Sequence, residues 1–315
     1  MSSRFEPLST KMAIDESFHA FMAPGCDRLV RLSGMLARRG LEGKVLCIGE
    51  RRHLLVRLRP GQPAILLIAH YDRVEGSPGA LDNSAACFVL AQAGRRIRDD
   101  VAARKGILLL FTDGEEAAAT GNPLSQGSFA LATGIKMVIG AARPEIFVFD
   151  VVGRGSRLIM STASRLGGEG QGQAARAMLD TMEARAAEAA GQVGMSRPLR
   201  LPLPWSDDLG FALAGMPSLV LSLLPAIEAE ALLRGVANAA SPSASRLPSR
   251  EELGLAWPST WERLHGPNDL PEMLEGSALE AMEEFCVRLC RHDGIGQGLA
   301  GDGRLDSREG SNADR

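Results

Sequence analysis

The sequence predicts an α/β fold, a three-layer sandwich with a mostly parallel central sheet. Apolar runs of strand length recur along the chain, as in "PAILLIA" (63–69), "GILLLFT" (106–112) and "PEIFVFDVV" (144–152). These runs are continuous rather than alternating, which is the pattern of strands covered on both faces. Segments of helical spacing stand between them, and strands alternating with helices place helices on both sides of a parallel sheet.

The elements follow in order. Glu16 to Arg39 is apolar at helical spacing and stops at Gly40, so it predicts one helix. "KVLCIG" (44–49) and "HLLVRLR" (53–59) are joined by the polar "ERR" and predict a hairpin. After the Pro60-Gly61 turn, "PAILLIA" predicts a central strand, followed by an Ala-rich helix from Asn83 to Arg96. "GILLLFT" and "PEIFVFDVV" predict two more central strands, with a helix at "SFALATGI" (128–135) between them. "GQAARAMLDTMEARAAEAAG" (172–191) predicts a long helix, "MPSLVLSLL" (216–224) a further strand, and "SALEAMEEFCVRLCRH" (277–292) a last helix. Ala237 to Pro258 is rich in Ser, Pro and Ala without a period and predicts a long surface loop. Residues 294–315 are rich in Gly, Asp and Ser and nearly free of apolar groups, which predicts a flexible tail. No repeat and no boundary divides the remainder, so residues 1–293 read as one domain.

Composition excludes several classes of function. The 315 residues carry 35 basic and 38 acidic side chains, a net charge of −3, which gives no field for nucleic acid or an anionic membrane. The apolar runs are too short to span a bilayer. "MSSRFEPLSTKMAIDESF" has no apolar signal core, and the five cysteines are odd in number and scattered, so a reducing, cytoplasmic setting is expected. Cys286 and Cys290 are four apart on a helix and read as a buried face, since no Cys or His cluster accompanies them. Aromatic content is 4%, so the core rests on aliphatic side chains.

Polar groups that strand interiors do not usually end in gather after the predicted central strands. His70 and Asp72 follow "AILLIA", Asp82 stands thirteen residues into "AHYDRVEGSPGALDNSAA" if Ala69 is counted as zero, Asp113, Glu115 and Glu116 follow "ILLLFT", and Asp150 ends "EIFVFD". In open α/β sheets, sites form beyond the carboxyl ends of strands. His265 arrives later, from a loop. Taken singly, each has an ordinary reading: a surface His–Asp pair, a solvated Glu-Glu helix start, a helix cap at Asp82, a turn at Asp150. Together, two imidazoles and several carboxylates match the nitrogen and oxygen ligands that Zn²⁺ accepts. A carboxylate among them can bridge a metal pair. Adjacent Glu115 and Glu116 diverge on a turn, so one can hold metal while the other faces a water as base.

This order of H-x-D, L-D-N-S-A, D-G-E-E, a strand-end Asp and a late His resembles metallopeptidase family twenty-eight, the co-catalytic zinc aminopeptidases, whose relatives include glutaminyl cyclases and some carboxypeptidases. The resemblance runs from about Leu54 to His292 and includes "FDVVG", "SDDLGF" with "AGMPSLVL", and "HGPNDL". It implies the zinc-peptidase fold of the phosphorylase/hydrolase-like type and two Zn²⁺ ions per chain. His70 and Asp150 would bind one, Glu116 and His265 the other, and Asp82 would bridge. Glu115 would be the general base, and Asp72 would orient His70. A cis peptide bond between Asp82 and Asn83 is also implied. The chain departs from the family at Gly266, where Thr is common, and at Leu264, where several members have a Tyr for the oxyanion; Tyr71 is the single tyrosine.

The expected activity is an aminopeptidase acting on a peptide or small amide substrate. An acidic rim suits a cationic α-amine, whereas a carboxypeptidase needs a fixed cation, for which Arg73, Arg154 and Arg263 are the nearest candidates. The alternatives are a carboxypeptidase or deacylase, a single-zinc glutaminyl cyclase, and a catalytically silent peptide-binding relative. The sequence leaves the oligomeric state open.

Overall fold

The computed structural model describes residues 14–116, 127–140, 142–163, 172–239 and 247–292. Among these, eight strands form a single sheet in the order β1-β2-β4-β3-β5-β8-β6-β7. The strands are β1 (Gly43–Ile48), β2 (Arg51–Arg57), β3 (Ile65–His70), β4 (Ile107–Thr112), β5 (Glu145–Phe149), β6 (Arg157–Ser161), β7 (Leu199–Leu201) and β8 (Leu219–Leu224). The described helices are α1 (Glu16–Met22), α2 (Arg28–Ala37), α3 (Ala85–Asp99), α4 (Gly127–Ile139), α5 (Gln173–Gln192), α6 (Asp207–Leu213), α7 (Ala226–Asn238), α8 (Arg250–Leu253) and α9 (Gly276–Leu289).

The centre of the sheet is the part that the continuous apolar runs predict. β4, β3, β5 and β8 lie side by side and parallel. Their side chains divide by strand parity, because successive residues point to opposite faces. Ile65, Leu67 and Ala69 of β3, Ile107, Leu109 and Phe111 of β4, and Phe147 and Phe149 of β5 belong to one core, with α1, α2, α3, α5 and α9. Leu66, Ile68, Leu108, Leu110, Ile146 and Val148 belong to the other, with α4, α6 and α7. Helix layers on both faces of one sheet make the three-layer sandwich.

The sheet is mostly parallel, as expected: four of its seven strand pairs are parallel, and β1–β2, β2–β4 and β6–β8 are antiparallel. The β1–β2 hairpin is as predicted. The helix expected over 16–39 is two helices, because Pro24 lacks the N–H a helix interior needs and Gly25 turns at φ +66°. Asp27 then caps α2, accepting the Val30 N–H at 3.1 Å. The loop expected over 237–258 contains the end of α7 and all of α8; its residues 240–246 lie outside the described residues. The Ser249 hydroxyl and the Glu252 carboxylate cap α8 reciprocally, the S-x-x-E signature of a helix start. The short strands β6 and β7 and helices α6 and α7 also lack sequence predictions. The tail expected at 294–315 lies outside the described residues. Among the described residues no helix is long and apolar enough to cross a membrane.

The turn that opens β4 fixes the register of the two central strands. Gly106 has φ +73°, and its carbonyl accepts the Ala64 N–H at 2.8 Å. A Cβ there would lie 1.8 Å from the Gln62 carbonyl oxygen. Gly106→Ala is therefore expected to lower stability by more than about 2 kcal/mol, since left-handed backbone alone costs an L-residue about 1–2 kcal/mol. The urea unfolding midpoint measures this, and an unchanged midpoint would contradict the tight turn.

Candidate metal centre

Three parallel strands deliver the site residues to one rim. His70 is the last residue of β3 and only 1% exposed. The Tyr71 N–H donates to the Thr112 carbonyl at 2.9 Å, which keeps β3 beside β4 for one further step. Asp72 then leaves the sheet beside the turn after β4. Its carboxylate accepts the N–H groups of Glu115 (3.3 Å) and Glu116 (3.1 Å) and lies 3.5 Å from His70 Nδ1. One carboxylate thus fixes both the imidazole and the turn carrying two glutamates. From behind, the Asp113 N–H donates to Nδ1 of buried His53 at 3.2 Å. Burial lowers the pKa of His53 to about 4, so it stays a neutral acceptor.

Asp82 sits on a distorted turn, Ala80–Ser84, just before α3, and the Asp82–Asn83 peptide bond is cis, as the resemblance implies. Gly79 enters this turn at φ +66°, and a Cβ there would meet the Asp82 carbonyl at 2.8 Å. Two ties hold the turn. Asn83 Nδ2 donates to the Phe149 carbonyl at 2.7 Å, one residue before Asp150. Asp269 accepts the N–H groups of Leu81 (2.6 Å) and Asp82 (3.1 Å), so the loop bearing His265 is fastened to the turn bearing Asp82.

The side chains converge in two halves. Asp82 Oδ1 is 3.1 Å from His70 Nε2, and Asp82 Oδ2 is 2.9 Å from His265 Nε2. Asp150 Oδ1 lies 3.7 Å from His70 Nε2, and Glu116 Oε2 lies 3.5 Å from His265 Nε2. Zn²⁺ bonds of about 2.0–2.2 Å set tetrahedral ligand atoms ~3.3–3.6 Å apart, which these spacings bracket. Ligand atoms of His70, Asp82 and Glu116 all fall within 4.8 Å of one another. Both ring nitrogens of His70, Glu116 Oε1 and Asp150 Oδ1 are buried without a hydrogen bond, although oxygens stand close to the imidazole. Groups that converge without bonding one another fit a cation between them.

The sequence supports the same centre. Residues 54–290 match the sequence model of peptidase family M28. The chain belongs to this family. The family's enzymes are zinc-dependent, which agrees with the ligand set gathered at this rim. Solved structures of M28-type fold resemble it at low identity. A zinc aminopeptidase from Bacillus subtilis is 20% identical with a TM-score of 0.50, covering 76% of this chain and 49% of its own. A Porphyromonas gingivalis glutaminyl cyclase is 17% identical with a TM-score of 0.60, covering 87% and 96%. A leucine aminopeptidase precursor from Bacteroides thetaiotaomicron is 15% identical with a TM-score of 0.59, covering 85% and 90%. The chain thus spans about half the length of the Bacillus subtilis enzyme. No curated protein matches it.

Charge in the M28 site is strongly unbalanced. Burial opposes a charge on His70, yet Asp150, Asp72 and Asp82 together raise its pKa well above the usual value. Asp82, then Glu116 and Asp150, push His265 up to about 9. Burial and then Asp82 push Glu116 up to about 8. Burial, with Asp150, Asp207 and Asp82 nearby, raises Glu115 well above the carboxylate range against the pull of His70. Without a cation, protons supply the missing positive charge; a divalent ion supplies it better.

The sequence assigns no role to two acids that the fold adds to this rim. Asp207 and Asp208, at the start of α6, are fully buried. Asp207 Oδ2 accepts from the Thr112 hydroxyl at 2.5 Å at the end of β4. Burial raises Asp207 to about 6 and Asp208 to about 8. Their sequence signal is the block "SDDLGF", which belongs to the resemblance but carries no stated role for either acid. The cation candidates are mostly engaged elsewhere: Arg73 donates to the carbonyls of Met22, Ala23 and Pro78, and Arg154 Nε lies 3.4 Å from Glu275, while Arg263 is exposed. The Tyr71 hydroxyl donates to the Arg52 carbonyl at 2.5 Å and so turns away from the oxyanion role. Cys286 and Cys290 are buried, as expected.

Asp269→Ala leaves the Leu81 and Asp82 N–H groups unpaired. A stability loss of about 2–4 kcal/mol is expected, each buried orphan donor costing about 1–3 kcal/mol. Asp269→Asn, which keeps one carbonyl acceptor, should lose less. Equal urea midpoints for wild type and Asp269→Ala would show that the late loop does not hold the turn.

Proposed function

We propose that the chain is a di-zinc aminopeptidase that releases N-terminal residues from peptides. The observation that carries this reading is Asp82, which presents one carboxylate oxygen to each of two imidazoles. His70 and Asp150 would hold one ion, Glu116 and His265 the other, with Asp82 between. When bound, zinc polarises the scissile carbonyl and lowers the pKa of water to about 7. The remaining work falls to the chain. Asp72 holds the His70 ring in place through Nδ1. Glu115 takes the proton of the attacking water and delivers it to the departing amine. Glu115 and Asp150, with the buried Asp207 carboxyl behind them, favour a cationic α-amine. The engagement of Arg73 and Arg154 elsewhere supports the choice of amino over carboxyl terminus. The five free cysteines support a reducing, cytoplasmic setting.

Glu115→Gln keeps size but removes proton acceptance. Its kcat should fall by about 10²–10⁴, with two zinc ions per chain retained by elemental analysis. Loss of zinc in Glu115→Gln, with retention in Glu116→Gln, would reverse the two roles.

A peptide with a free amino terminus and its N-acetylated form decide the end that is cut. Hydrolysis of the free form alone is expected. Equal or faster turnover of the acetylated peptide would replace this reading with a deacylase or carboxypeptidase. A second reading, cyclisation of N-terminal glutamine, is supported by the alignment along 96% of the Porphyromonas gingivalis cyclase. Release of ammonia from a glutaminyl peptide, without cleavage of its peptide bond, would favour it.

A further inference from the structure

A buried cation lies directly behind the acidic rim, and the reactions above make no use of it. Arg28 is the first residue of α2 and only 9% exposed. It belongs to the N-terminal layer, outside the residues matched to family M28. None of its hydrogen bonds is to a carboxylate. Nε donates to the Tyr71 carbonyl, Nη2 donates to Ser84 Oγ at 2.9 Å, and Nη1 donates to the Phe21 carbonyl at 3.4 Å. The guanidinium also lies over the Phe21 ring at 3.9 Å. Burial lowers its pKa to about 10, so it remains charged at neutral pH.

Two of those acceptors are the immediate neighbours of the site. Tyr71 follows His70. Ser84 stands two residues after Asp82, and its hydroxyl passes the contact on, donating to the Gly79 carbonyl at 2.6 Å across the turn that carries Asp82. The Ser84 N–H also donates to Gly79, at 3.1 Å. A planar fork with several donors in fixed directions can hold two separate backbone segments at one spacing, which a lysine ammonium on its flexible stem does poorly. The attachment is reciprocal: Arg73, from the site's own loop, donates to the Met22 and Ala23 carbonyls at the end of α1. Burying a charge among neutral oxygens is costly unless something nearby compensates, and the Asp72 carboxylate does so in part.

We infer that Arg28 is a positioning residue of the metal centre, setting the spacing of His70 and Asp82 through the Tyr71 carbonyl and the Ser84 hydroxyl. This rests on the di-zinc reading, and it assigns the N-terminal helices a part in the site.

The test uses the full chain and Zn²⁺ or Co²⁺ alone. Arg28→Met keeps an unbranched stem over Phe21 and removes all three hydrogen bonds. Stepwise calorimetric titration should show one binding step weakened by about 10–100-fold, the usual range for loss of a group that orients a ligand, and the other little changed. A His265→Ala control identifies the step belonging to His265, and the weakened step should be the other one. The visible absorption of bound Co²⁺ should change for that site, which a merely looser fold would not cause. Arg28→Lys should recover part of the affinity. Ser84→Ala, a milder change, should weaken the same step, and adding it to Arg28→Met should have little further effect. Unchanged metal steps and Co²⁺ spectrum in Arg28→Met, with only a lower unfolding midpoint, would overturn the inference. If the wild type bound no metal, the di-zinc reading would fail separately. Amide exchange of the metal-free protein would then decide: Arg28→Met should speed the Tyr71 and Ser84 amides by about tenfold or more, for an opening made easier by about 1.4 kcal/mol, while Leu90 inside α3 is unchanged. Equal exchange at Tyr71 and Ser84 in both proteins would overturn it as well.

Discussion

Carboxylates that repel one another are held within a few ångströms at the carboxyl end of the sheet, and much of the structure around them serves that constraint. Asp72, Asp82, Glu115, Glu116, Asp150, Asp207 and Asp208 share one small volume with two imidazoles. Such a cluster disperses unless each carboxyl is fixed by something other than its neighbours. Backbone N–H groups do much of this: Asp72 takes two from the turn after β4, and Asp269 takes two from the turn before α3. Each of these carboxylates joins segments far apart in sequence, so the polar groups that build the site also fasten the loops together.

The rigid support is the parallel centre of the sheet. β3, β4 and β5 run in register with both faces covered, so their last residues emerge at one level. Asn83 donating to the Phe149 carbonyl ties the Asp82 turn to β5, beside Asp150. Helix α1 packs on this turn, and Arg28 of α2 reaches Ser84 within it. The position of Asp82 is thus defined from the sheet, from the late loop and from the N-terminal layer.

The central strands were legible because each is a continuous apolar run ended by a polar residue, and that same boundary marked His70, Asp113 and Asp150. The spacing of His70, Asp82, Glu115, Glu116 and His265 was legible as a family pattern, and the fold brings these residues together. Other features left weaker signals. β6 and β7 are short and each contains an arginine, Arg157 and Arg200, so no long apolar run announces them. The break between α1 and α2 was written in Pro24-Gly25 but was masked by apolar spacing on both sides. The start of α8 was written in Ser249 and Glu252. Asp207 and Asp208 look like any acidic helix start; only the tertiary fold buries them. Arg28 carries no local signal of this role, since its two partners beside the site lie 43 and 56 residues away.

The two imidazoles differ sharply in their access to water. The His70 side chain is 1% exposed, while that of His265 is 56% exposed and stands on an irregular loop at φ +59°. Ions held as proposed would therefore occupy unequal seats, one closed in by the sheet and one open to solvent. The open seat would exchange with solvent and meet chelators first. The closed seat would be filled and emptied more slowly, through the open one or by movement of the surrounding loops. Such a centre would load from the inside outward and be stripped in the reverse order.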